Sequence, residues 1–363
     1  MIHSNAKPGR ILVIRLSSLG DVVLTTPLLR RLRALPRRYI IDMLTRERYL
    51  PLLDCIDDVD NRLVYPDDSA AVKTLKRQLA GNHYDAVIDL QNNIVSRSIV
   101  AAINPAGVYR FRRARVNRWL RIHLPARRGK LKTPPPVAEG YLATAKPLQV
   151  IDDGLGLELN VDAVSAQAMR KLLRVYHAEA NLPVDIVPLI FAPGARHNSK
   201  MWLPERWVEL MRRAYAAGFE SQVLIGGADE AGLIESLQSQ LDFPVLTTAG
   251  SINLKELTAL VSLGRVLVSN DSGPMHVAAA VGTPVVVIFG STVPELGFAP
   301  FRCPAEIVQI DGLECRPCHP HGRKRCPRKH FRCMKEIDSE MVMKALLRAS
   351  GVEWSVPAAE IQR

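Results

Sequence analysis

The chain has 363 residues and a formal net charge of +12, from 48 Lys and Arg against 36 Asp and Glu. This length predicts about two domains, and 47% hydrophobic with 23% charged residues excludes a disordered or collagen-like chain. Six cysteines are too few for a disulfide scaffold, no apolar run reaches the length of a transmembrane helix, and the N-terminal segment lacks the cleavage site of a signal peptide, so we expect a soluble cytoplasmic protein.

In the first half of the chain, short apolar strands alternate with helical segments. Strands are predicted at 11–16, 39–45, 62–65 and 85–90, and a helix at 25–35, where Pro27 suits the first turn. Alternation of this kind is typical of a parallel α/β sheet. Beyond Leu90 the pattern lapses into a basic stretch and a proline cluster at 134–136, and then into a strand-poor connection with one helix at 165–179.

A second alternating series begins at Pro188. It predicts strands at 188–194, 221–227, 265–269 and 284–290, and helices at 204–217, 230–241, 254–263, 275–281 and 338–349. We therefore predict an N-terminal α/β domain over residues 1–175 and a C-terminal α/β domain over residues 183–363. A cleft between two such domains binds ligands at the carboxyl ends of the strands.

The positive charge is concentrated in two segments. Residues 110–132 contain ten Lys and Arg and residues 315–335 contain eight, with no acidic residue in either, and the rest of the chain carries 30 basic against 36 acidic residues. Concentrated basic segments usually contact phosphates in a nucleic acid, an anionic membrane or an anionic substrate. Solvated loops are the alternative interpretation.

The segment at 268–290 carries the sharpest motif, a strand, a loop, a helix and a strand. Gly273 permits a ligand to approach the backbone, and the free N–H groups of a helix N-terminus attract phosphate. Asp271 can bind sugar hydroxyls and His276 can donate to a phosphate oxygen; alternatively, Asp271 only caps the helix and His276 is a buried packing residue. The dinucleotide fingerprint and the Walker loop are absent, which argues against an NAD enzyme or a P-loop ATPase.

Asp21 lies at the first strand-to-helix junction, which is the cleft edge of the N-terminal domain. A carboxylate at this position can accept a proton from an attacking hydroxyl as a general base. The alternative is an N-cap aspartate without a chemical role.

Three segments, in this order, resemble the glycosyltransferases of family 9, the lipopolysaccharide heptosyltransferases. They are RLSSLGDVVLTTP from Arg15, PGARHNSKMWLPERW from Pro193 and NDSGPMHVAAA from Asn270, and the resemblance covers about residues 11–301. It implies a GT-B fold, in which two Rossmann-like domains face a cleft. It also implies inverting transfer of heptose from ADP-L-glycero-D-manno-heptose to the lipopolysaccharide inner core, a Kdo- or heptose-bearing lipid A acceptor.

The resemblance implies roles for individual residues. Asp21 matches the catalytic base, and Lys200 matches the lysine that neutralises the donor diphosphate. Asp271 matches the residue that holds the sugar, and the residues after it match those that hold the phosphates. By position, Glu230 resembles the acid that binds the ribose and Ile252 the residue that packs on adenine. The implied donor site is Lys200, Glu230, Ile252, Asp271, Ser272, Gly273 and His276.

Physical chemistry agrees with the implied reaction. A hydroxyl attacks the anomeric carbon while ADP leaves from the opposite face, and charge builds on the β-phosphate. Lys200 and the helix N-terminus after Asp271 are suited to stabilise that charge. Because they can replace a metal ion, we expect that catalysis requires no cofactor. Domain closure would bring Asp21 within reach of the acceptor.

The first basic segment gains a partner from the resemblance. The acceptor carries Kdo carboxylates and lipid A phosphates, and near the anionic inner-membrane surface each basic residue contributes about 1 kcal/mol. We therefore expect a peripheral enzyme on the inner face of the inner membrane. The predicted acceptor-binding residues are Arg110, Arg112, Arg113, Arg115, Arg118 and Arg121. Trp119 and Leu120 would add apolar contact.

The second basic segment is predicted to be a Cys-rich insertion at 315–335. Cys315, Cys318, Cys326 and Cys333 can form a tetrahedral structural zinc site, and reduced, unliganded thiols are the alternative. Cys315 to His319 also match the haem attachment sequence C-x-x-C-H, which we discount because a signal peptide is missing. The implied reaction does not need this insertion, so we interpret it as accessory.

Two other functions remain open from the sequence. One is a family 9 transferase with another nucleotide sugar or acceptor. The other is a nucleic-acid-binding protein with a cysteine knuckle, which the charge and the Cys spacing support. The basic segments lack a known reader motif, so we expect no nucleic-acid partner.

Overall fold

The computed structural model of the protein describes residues 8–124 and 129–351. Within them lie two parallel sheets, one from each half of the chain. The strands of the first sheet are β1 (Gly9–Ile14), β2 (Tyr39–Arg46), β3 (Asn61–Tyr65), β4 (Ala86–Asp89) and β5 (Gly107–Arg110). The strands of the second sheet are β6 (Leu189–Ala192), β7 (Gln222–Leu224), β8 (Leu246–Thr247), β9 (Val266–Asn270), β10 (Val285–Phe289) and β11 (Ala305–Gln309).

Helices alternate with these strands. In the N-terminal part they are α1 (Leu19–Val23), α2 (Thr26–Arg33), α3 (Leu50–Leu53), α4 (Ser69–Gly81), α5 (Ile94–Ile103), α6 (Arg115–His123), α7 (Val137–Thr144) and α8 (Ala163–Glu179). In the C-terminal part they are α9 (Pro204–Ala216), α10 (Ala231–Gln238), α11 (Leu254–Ser262), α12 (Gly273–Val281), α13 (Arg332–Lys335) and α14 (Ser339–Ser350). None of the helices in the described ranges is long and apolar enough to cross a membrane.

Both sheets have the strand order of a doubly wound fold. The orders are β3-β2-β1-β4-β5 and β8-β7-β6-β9-β10-β11, and the paired strands are parallel. The order reverses between β1 and β4 and between β6 and β9, and ligands of such sheets bind beyond the carboxyl ends of the strands at the reversal. The predicted α/β class is confirmed. The residues that follow β1, β6 and β9 lie where sheets of this topology bind ligands.

The predictable elements have strong local signals. The central strands form where the sequence is continuously apolar, because helices cover both faces of a parallel sheet. The residues of β10 are fully buried. Side-chain caps start several helices, as at α4, where Asp68 Oδ2 accepts from Ala71 N at 2.7 Å, and at α14, where Asp338 Oδ1 accepts from Met341 N at 2.8 Å.

The sequence predicts neither the strands β5, β8 and β11 nor the helices α5 to α7. The three strands are sheet edges with partly exposed residues, and β8 has only two residues, so none has a buried apolar run. The buried residues of α6 are Arg118 and Arg121, which replace the usual apolar side chains. The apolar residues Val116 and Trp119 recur at helical spacing but are exposed, so the apolar side of α6 does not face the core.

A connecting segment joins the two halves. Leu159 N donates to Ala280 O of α12 at 3.1 Å, and Asn160 N donates to Cys55 O at 2.8 Å, so this segment contacts both parts of the chain. The helix α8, most of which the sequence assigns to the N-terminal domain, packs against α11 and thus accompanies the second sheet. The domain limits at residues 175 and 183 stay a prediction.

Candidate active site between the two sheets

Asp21 lies in α1, shortly after β1, and several donors hold its carboxylate. Oδ2 is 2.7 Å from Arg15 Nη2 and accepts hydrogen bonds from Ser18 N at 3.2 Å and Ser18 Oγ at 2.9 Å. Oδ1 accepts from the Tyr141 hydroxyl at 3.4 Å. Because Ser18 is the N-cap residue, its contacts with Asp21 belong to a capping box. Asp21 therefore supports the start of α1 and is at the same time an ion-paired carboxylate.

Arg15 determines the ionisation of Asp21. Burial by itself would raise the pKa of Asp21, but the charge of Arg15 and the hydrogen bonds from Ser18 outweigh it, so the pKa lies below its usual value. Arg15 is itself buried, and its Nη1 donates to Leu90 O at 2.9 Å. At neutral pH Asp21 is thus an ionised proton acceptor in a fixed orientation.

A second charged pair, Lys200 and Asp271, lies beyond the carboxyl ends of strands β6 and β9 in the second sheet. Lys200 Nζ is 2.7 Å from Asp271 Oδ2, and the Thr292 hydroxyl donates to the same oxygen at 2.6 Å. Lys200 precedes Trp202, whose buried indole N–H donates to Ile337 O at 2.9 Å. This buried tryptophan anchors the segment after β6 and so sets the position of Lys200.

The remaining residues of the predicted donor site also lie beyond the carboxyl ends of strands in the second sheet. Ser272 is the N-cap residue of α12, Glu230 follows β7 and Ile252 follows β8. Glu230 Oε2 accepts from Gly227 N at 3.0 Å, and a Cβ atom at Gly194 would overlap the Glu230 carboxylate. Burial raises the pKa of Glu230. The structure thus aligns these residues with the ends of successive strands, as expected for a ligand site of a doubly wound sheet.

Helices α1 and α12 meet across the cleft, because two glycines let their backbones approach. A Cβ atom at Gly20 would overlap the imidazole ring of His276, and a Cβ atom at Gly273 would lie 2.8 Å from Leu19 Cδ2. The sequence predicts that Gly273 admits a ligand, whereas in the structure its close neighbour is Leu19 from the other half of the chain. This contact brings together the two parts of the chain that carry the charged pairs.

His276 is a buried residue of this contact. Burial lowers its pKa to about 4, although the charges of Asp271 and Asp21 oppose the shift. Its Nδ1 atom has no hydrogen-bond partner within the described parts of the chain. The ring is therefore neutral at pH 7 and packs against Gly20, which agrees with the packing alternative. A role of His276 in phosphate binding stays a prediction.

The six arginines of the predicted acceptor site have different surroundings. Arg113, Arg115 and Arg118 line a cavity of about 380 Å³. Arg110 and Arg112 are exposed and do not line that cavity. Arg121 is buried and donates to Leu131 O at 2.8 Å and to Thr133 Oγ1 at 3.2 Å, which holds α6 to the following segment. This basic segment therefore contributes to a candidate binding site through the three arginines that line the cavity.

The four cysteines of the insertion are free thiols. Cys315, Cys318 and Cys326 each raise the pKa of Cys333 by their charge, after the larger effect of burial, so the four lie in one neighbourhood. However, no three Cys, His, Asp or Glu side chains among residues 8–124 and 129–351 are grouped so that they would hold a metal ion. The zinc site stays a prediction, and no chemical step below depends on one.

Sequence reasoning missed the partners of both carboxylates. Arg15 and Tyr141 contact Asp21, and Thr292 contacts Asp271. Only Arg15 has a sequence signal, because it is a charge directly after the apolar run of β1. The Cys-rich insertion, which we interpreted as accessory, reaches the cleft, since its residues 318–321 and 323 line the same cavity as the arginines of α6.

Comparison with known proteins places this geometry in context. The family model "Glycosyltransferase family 9 (heptosyltransferase)" matches residues 72–330. The chain is 27% identical over 288 residues to "Lipopolysaccharide heptosyltransferase 3" of Escherichia coli, which covers 75% of this chain and 81% of that protein.

Two solved structures show the same fold. The glycosyl transferase family 9 protein of Veillonella parvula matches with a TM-score of 0.76 at 21% identity, over 94% of this chain and 97% of the other. The E. coli ADP-heptose lps heptosyltransferase II matches with a TM-score of 0.72 at 22% identity, over 94% and 98% of the two chains. The predicted GT-B fold is confirmed.

The contact between α1 and α12 leads to a first prediction. Gly20→Ala places a methyl group in the space of the buried His276 ring, so we expect a loss of about 1–3 kcal/mol in the free energy of unfolding. Urea denaturation measures this loss. Gly81→Ala is the matched control, because a Cβ atom there meets no atom within 4 Å at the end of α4. Equal stability of the two variants would contradict the close contact.

Proposed function

The chain belongs to glycosyltransferase family 9, and from this premise we propose that it transfers heptose from ADP-L-glycero-D-manno-heptose to the lipopolysaccharide inner core, with inversion at the anomeric carbon. The protein is a glycosyltransferase, and heptosyltransferases among its relatives support heptose as the transferred sugar. The observation that carries the proposal is the pair of charged clusters, Arg15–Asp21 and Lys200–Asp271, on the two halves that meet at α1 and α12.

Asp21 is the proposed general base. As the acceptor oxygen bonds to the anomeric carbon, its hydroxyl becomes acidic and the proton passes to the Asp21 carboxylate. Arg15 keeps this carboxylate ionised beforehand and fixes its direction. The lowered pKa makes Asp21 a weak base toward a free hydroxyl, so the proton transfer comes late, when the new C–O bond is largely formed.

Lys200 and Asp271 are the proposed donor-binding pair. The bond from the anomeric carbon to the β-phosphate oxygen breaks, and its electron pair leaves with ADP. Lys200 has three N–H donors, so it can contact the departing phosphate while it stays paired with Asp271. Lys200 and Thr292 both contact Oδ2 of Asp271, and we assign Oδ1 to the sugar hydroxyls. Positive charge at Lys200 supplies the stabilisation of the diphosphate, so the proposed reaction needs no metal ion.

We place the adenosine half of the donor farther along the same edge. Glu230, at the end of β7, is the proposed ribose-binding acid, and Ile252 is the proposed contact of adenine. A Cβ atom is missing at Gly194, and the Glu230 carboxylate lies in that space. Ser272 and the following residues of α12 complete the donor site as proposed.

The acceptor and the membrane surface are the proposed partners of α6. Its arginines meet anionic groups on the acceptor, and further basic residues of the segment meet anionic lipid, which would make the enzyme peripheral on the inner face of the inner membrane. Membership in an enzyme family leaves the nucleic-acid alternative without support. A family 9 transferase with another donor remains the alternative, and the following assay includes it.

Asp21→Asn tests the proposed base. The amide keeps the size of the side chain but accepts no proton, so we expect kcat to fall about 10²- to 10⁴-fold while ADP-heptose binding persists. Transfer to truncated cores, followed by mass spectrometry, measures the first effect and calorimetry the second. Asp68→Asn, at the N-cap of α4, is the control. If Asp21→Asn retains activity, Asp21 is not the base. If the wild-type enzyme transfers sugar from other nucleotide sugars but not from ADP-heptose, the proposed donor is wrong.

The ion pair with Arg15 predicts a pH effect. Because Arg15 lowers the pKa of Asp21, Arg15→Gln should raise it, and the acid limb of the kcat/KM profile should move to higher pH. The rate at pH 5 then falls more than the rate at pH 8. Arg10→Gln, which removes the partner of buried Asp42 in the same sheet, is the control. An unchanged acid limb in Arg15→Gln contradicts the assigned pairing.

Neutralising two arginines of the cavity wall, Arg113 just before α6 and Arg115 at its start, tests the proposed acceptor site. The double variant Arg113→Ala/Arg115→Ala should raise the KM for the acceptor at least tenfold and weaken binding to anionic vesicles, because charge-assisted contacts are lost. The KM for ADP-heptose should hardly change. Lys73→Ala/Arg77→Ala, on exposed positions of α4, removes the same charge elsewhere. An equal rise of both KM values would contradict the assignment.

A further inference from the structure

A basic cavity of about 380 Å³ lies between α6 and the Cys-rich insertion. Its volume is in the range of small-molecule sites. The first part of the chain contributes Arg113, Arg115, Arg118, Trp119, Ile122 and His123. The insertion contributes Cys318, His319, Pro320, His321 and Arg323. No Asp or Glu is found among the described residues of its wall.

The insertion is built into the donor side of the cleft. Ser199 N donates to Arg323 O at 3.0 Å, and Arg323 N donates to Ser199 Oγ at 2.7 Å, directly before Lys200. Gly322 lies on the Lys200 side chain, where a Cβ atom would be 2.8 Å from Cγ, and its φ of +88° is one that glycine adopts without strain. The position of this loop is therefore tied to the position of Lys200.

The base of the loop has equally specific contacts. Cys318 N donates to Ser291 O at 3.1 Å. The buried Arg316 donates from Nη2 to Phe289 O at 3.0 Å and to Thr292 O at 2.9 Å. Because Thr292 also contacts Asp271, the loop and the donor-binding pair share one hydrogen-bonded framework. These contacts hold the wall in place and argue against a solvated loop.

The opposite wall carries a buried arginine that forms no ion pair among the described residues. Arg118 is buried, its guanidinium lies 4.9 Å from the centre of the Phe298 ring, and Nε lacks a hydrogen-bond partner in the parts of the chain that the structure describes. Burial, and after it the charge of Arg113, lower the pKa of Arg118. The charge of Asp21 opposes this shift only in part. A buried cation that forms no ion pair is unfavourable, and an anion bound in the cavity would reduce this cost.

The cavity also lies close to the proposed base. His321 interacts electrostatically with Asp21, Arg118 and Lys200. Arg113 likewise interacts with Asp21. The wall of the cavity is therefore within electrostatic range of both the proposed proton acceptor and the lysine of the proposed donor site. The exposed ring of Trp119 offers a flat apolar face for a sugar in the same space.

We propose that the Cys-rich loop forms the second wall of the acceptor site, and that Arg323 binds an oxyanion of the acceptor, a phosphate or a carboxylate, together with the arginines of α6. This inference rests on the proposed transfer to an anionic acceptor. It gives the insertion a role in acceptor selection, and it means that acceptor recognition uses residues from both halves of the chain.

Two variants of the same loop test this role. Arg323→Ala should raise the KM for the acceptor about 10- to 100-fold, with the KM for ADP-heptose unchanged, because a charge-assisted contact is lost. Arg325→Ala removes the same charge from an exposed position outside the cavity and should stay within about twofold of the wild type. Equal effects of the two variants would overturn the proposal.

Modified acceptors identify the anion. One acceptor has its lipid A phosphates removed, and another has its Kdo carboxylates reduced. The penalty of Arg323→Ala should disappear with the acceptor that lacks the bound group. A penalty that persists in full with both acceptors overturns recognition of an anion.

Direct binding separates this proposal from the proposed reaction. Quenching of Trp119 fluorescence by the intact acceptor, read as the difference between the wild type and Trp119→Phe, reports occupancy of the cavity without turnover. Weaker binding by Arg323→Ala than by Arg325→Ala supports the loop as a wall even if wild-type protein transfers no heptose, which would refute the proposed function alone. Equal binding by both variants overturns the loop's role, whatever the activity.

Discussion

The contact between α1 and α12 is the constraint on which the site depends. Gly20 makes room for the ring of His276, and Gly273 makes room for Leu19. Two helices from different halves of the chain can therefore pack closely against each other. Each helix follows a central strand at the reversal point of its sheet. Their contact therefore brings the ends of β1 and β9 together and decides how far Asp21 lies from the donor-binding pair.

Charge pairing organises both sides of this contact, as the proposed anionic donor and uncharged nucleophile require. On one side Arg15 keeps Asp21 ionised, and on the other Asp271 orients Lys200. Both pairs are largely buried, and electrostatic interactions are stronger in such surroundings than at the surface. Beyond the pairs, the α6 cavity carries arginines without acidic partners in its described wall, which suits an anion brought by the acceptor. The net charge of +12 reflects this local arrangement more than a general affinity for polyanions.

Much of this architecture can be predicted from the sequence, and the exceptions have physical causes. Continuous apolar runs identify the central strands, and Asp21 and Asp271 were expected at the cleft because they follow such strands. Lys200 was expected there only from the resemblance to family 9. The buried side of α6 could not be predicted, because its buried residues are arginines while Val116 and Trp119 are exposed. Tyr141, Thr292 and Arg323 also could not be predicted, since their partners are distant in the chain and no local pattern marks them. Gly273 illustrates a different limit. The sequence predicts a close approach to its backbone, but it does not predict that the approaching group is Leu19.

A structure of the enzyme with a non-transferable ADP-heptose analogue and a truncated anionic acceptor tests the central claim most directly. We expect the diphosphate at Lys200 and the attacking hydroxyl within about 3 Å of Asp21, on the face of the sugar opposite the leaving group. The same structure should show the acceptor between α6 and the Cys-rich loop. An acceptor hydroxyl bound away from Asp21, or a diphosphate bound away from Lys200, would contradict it.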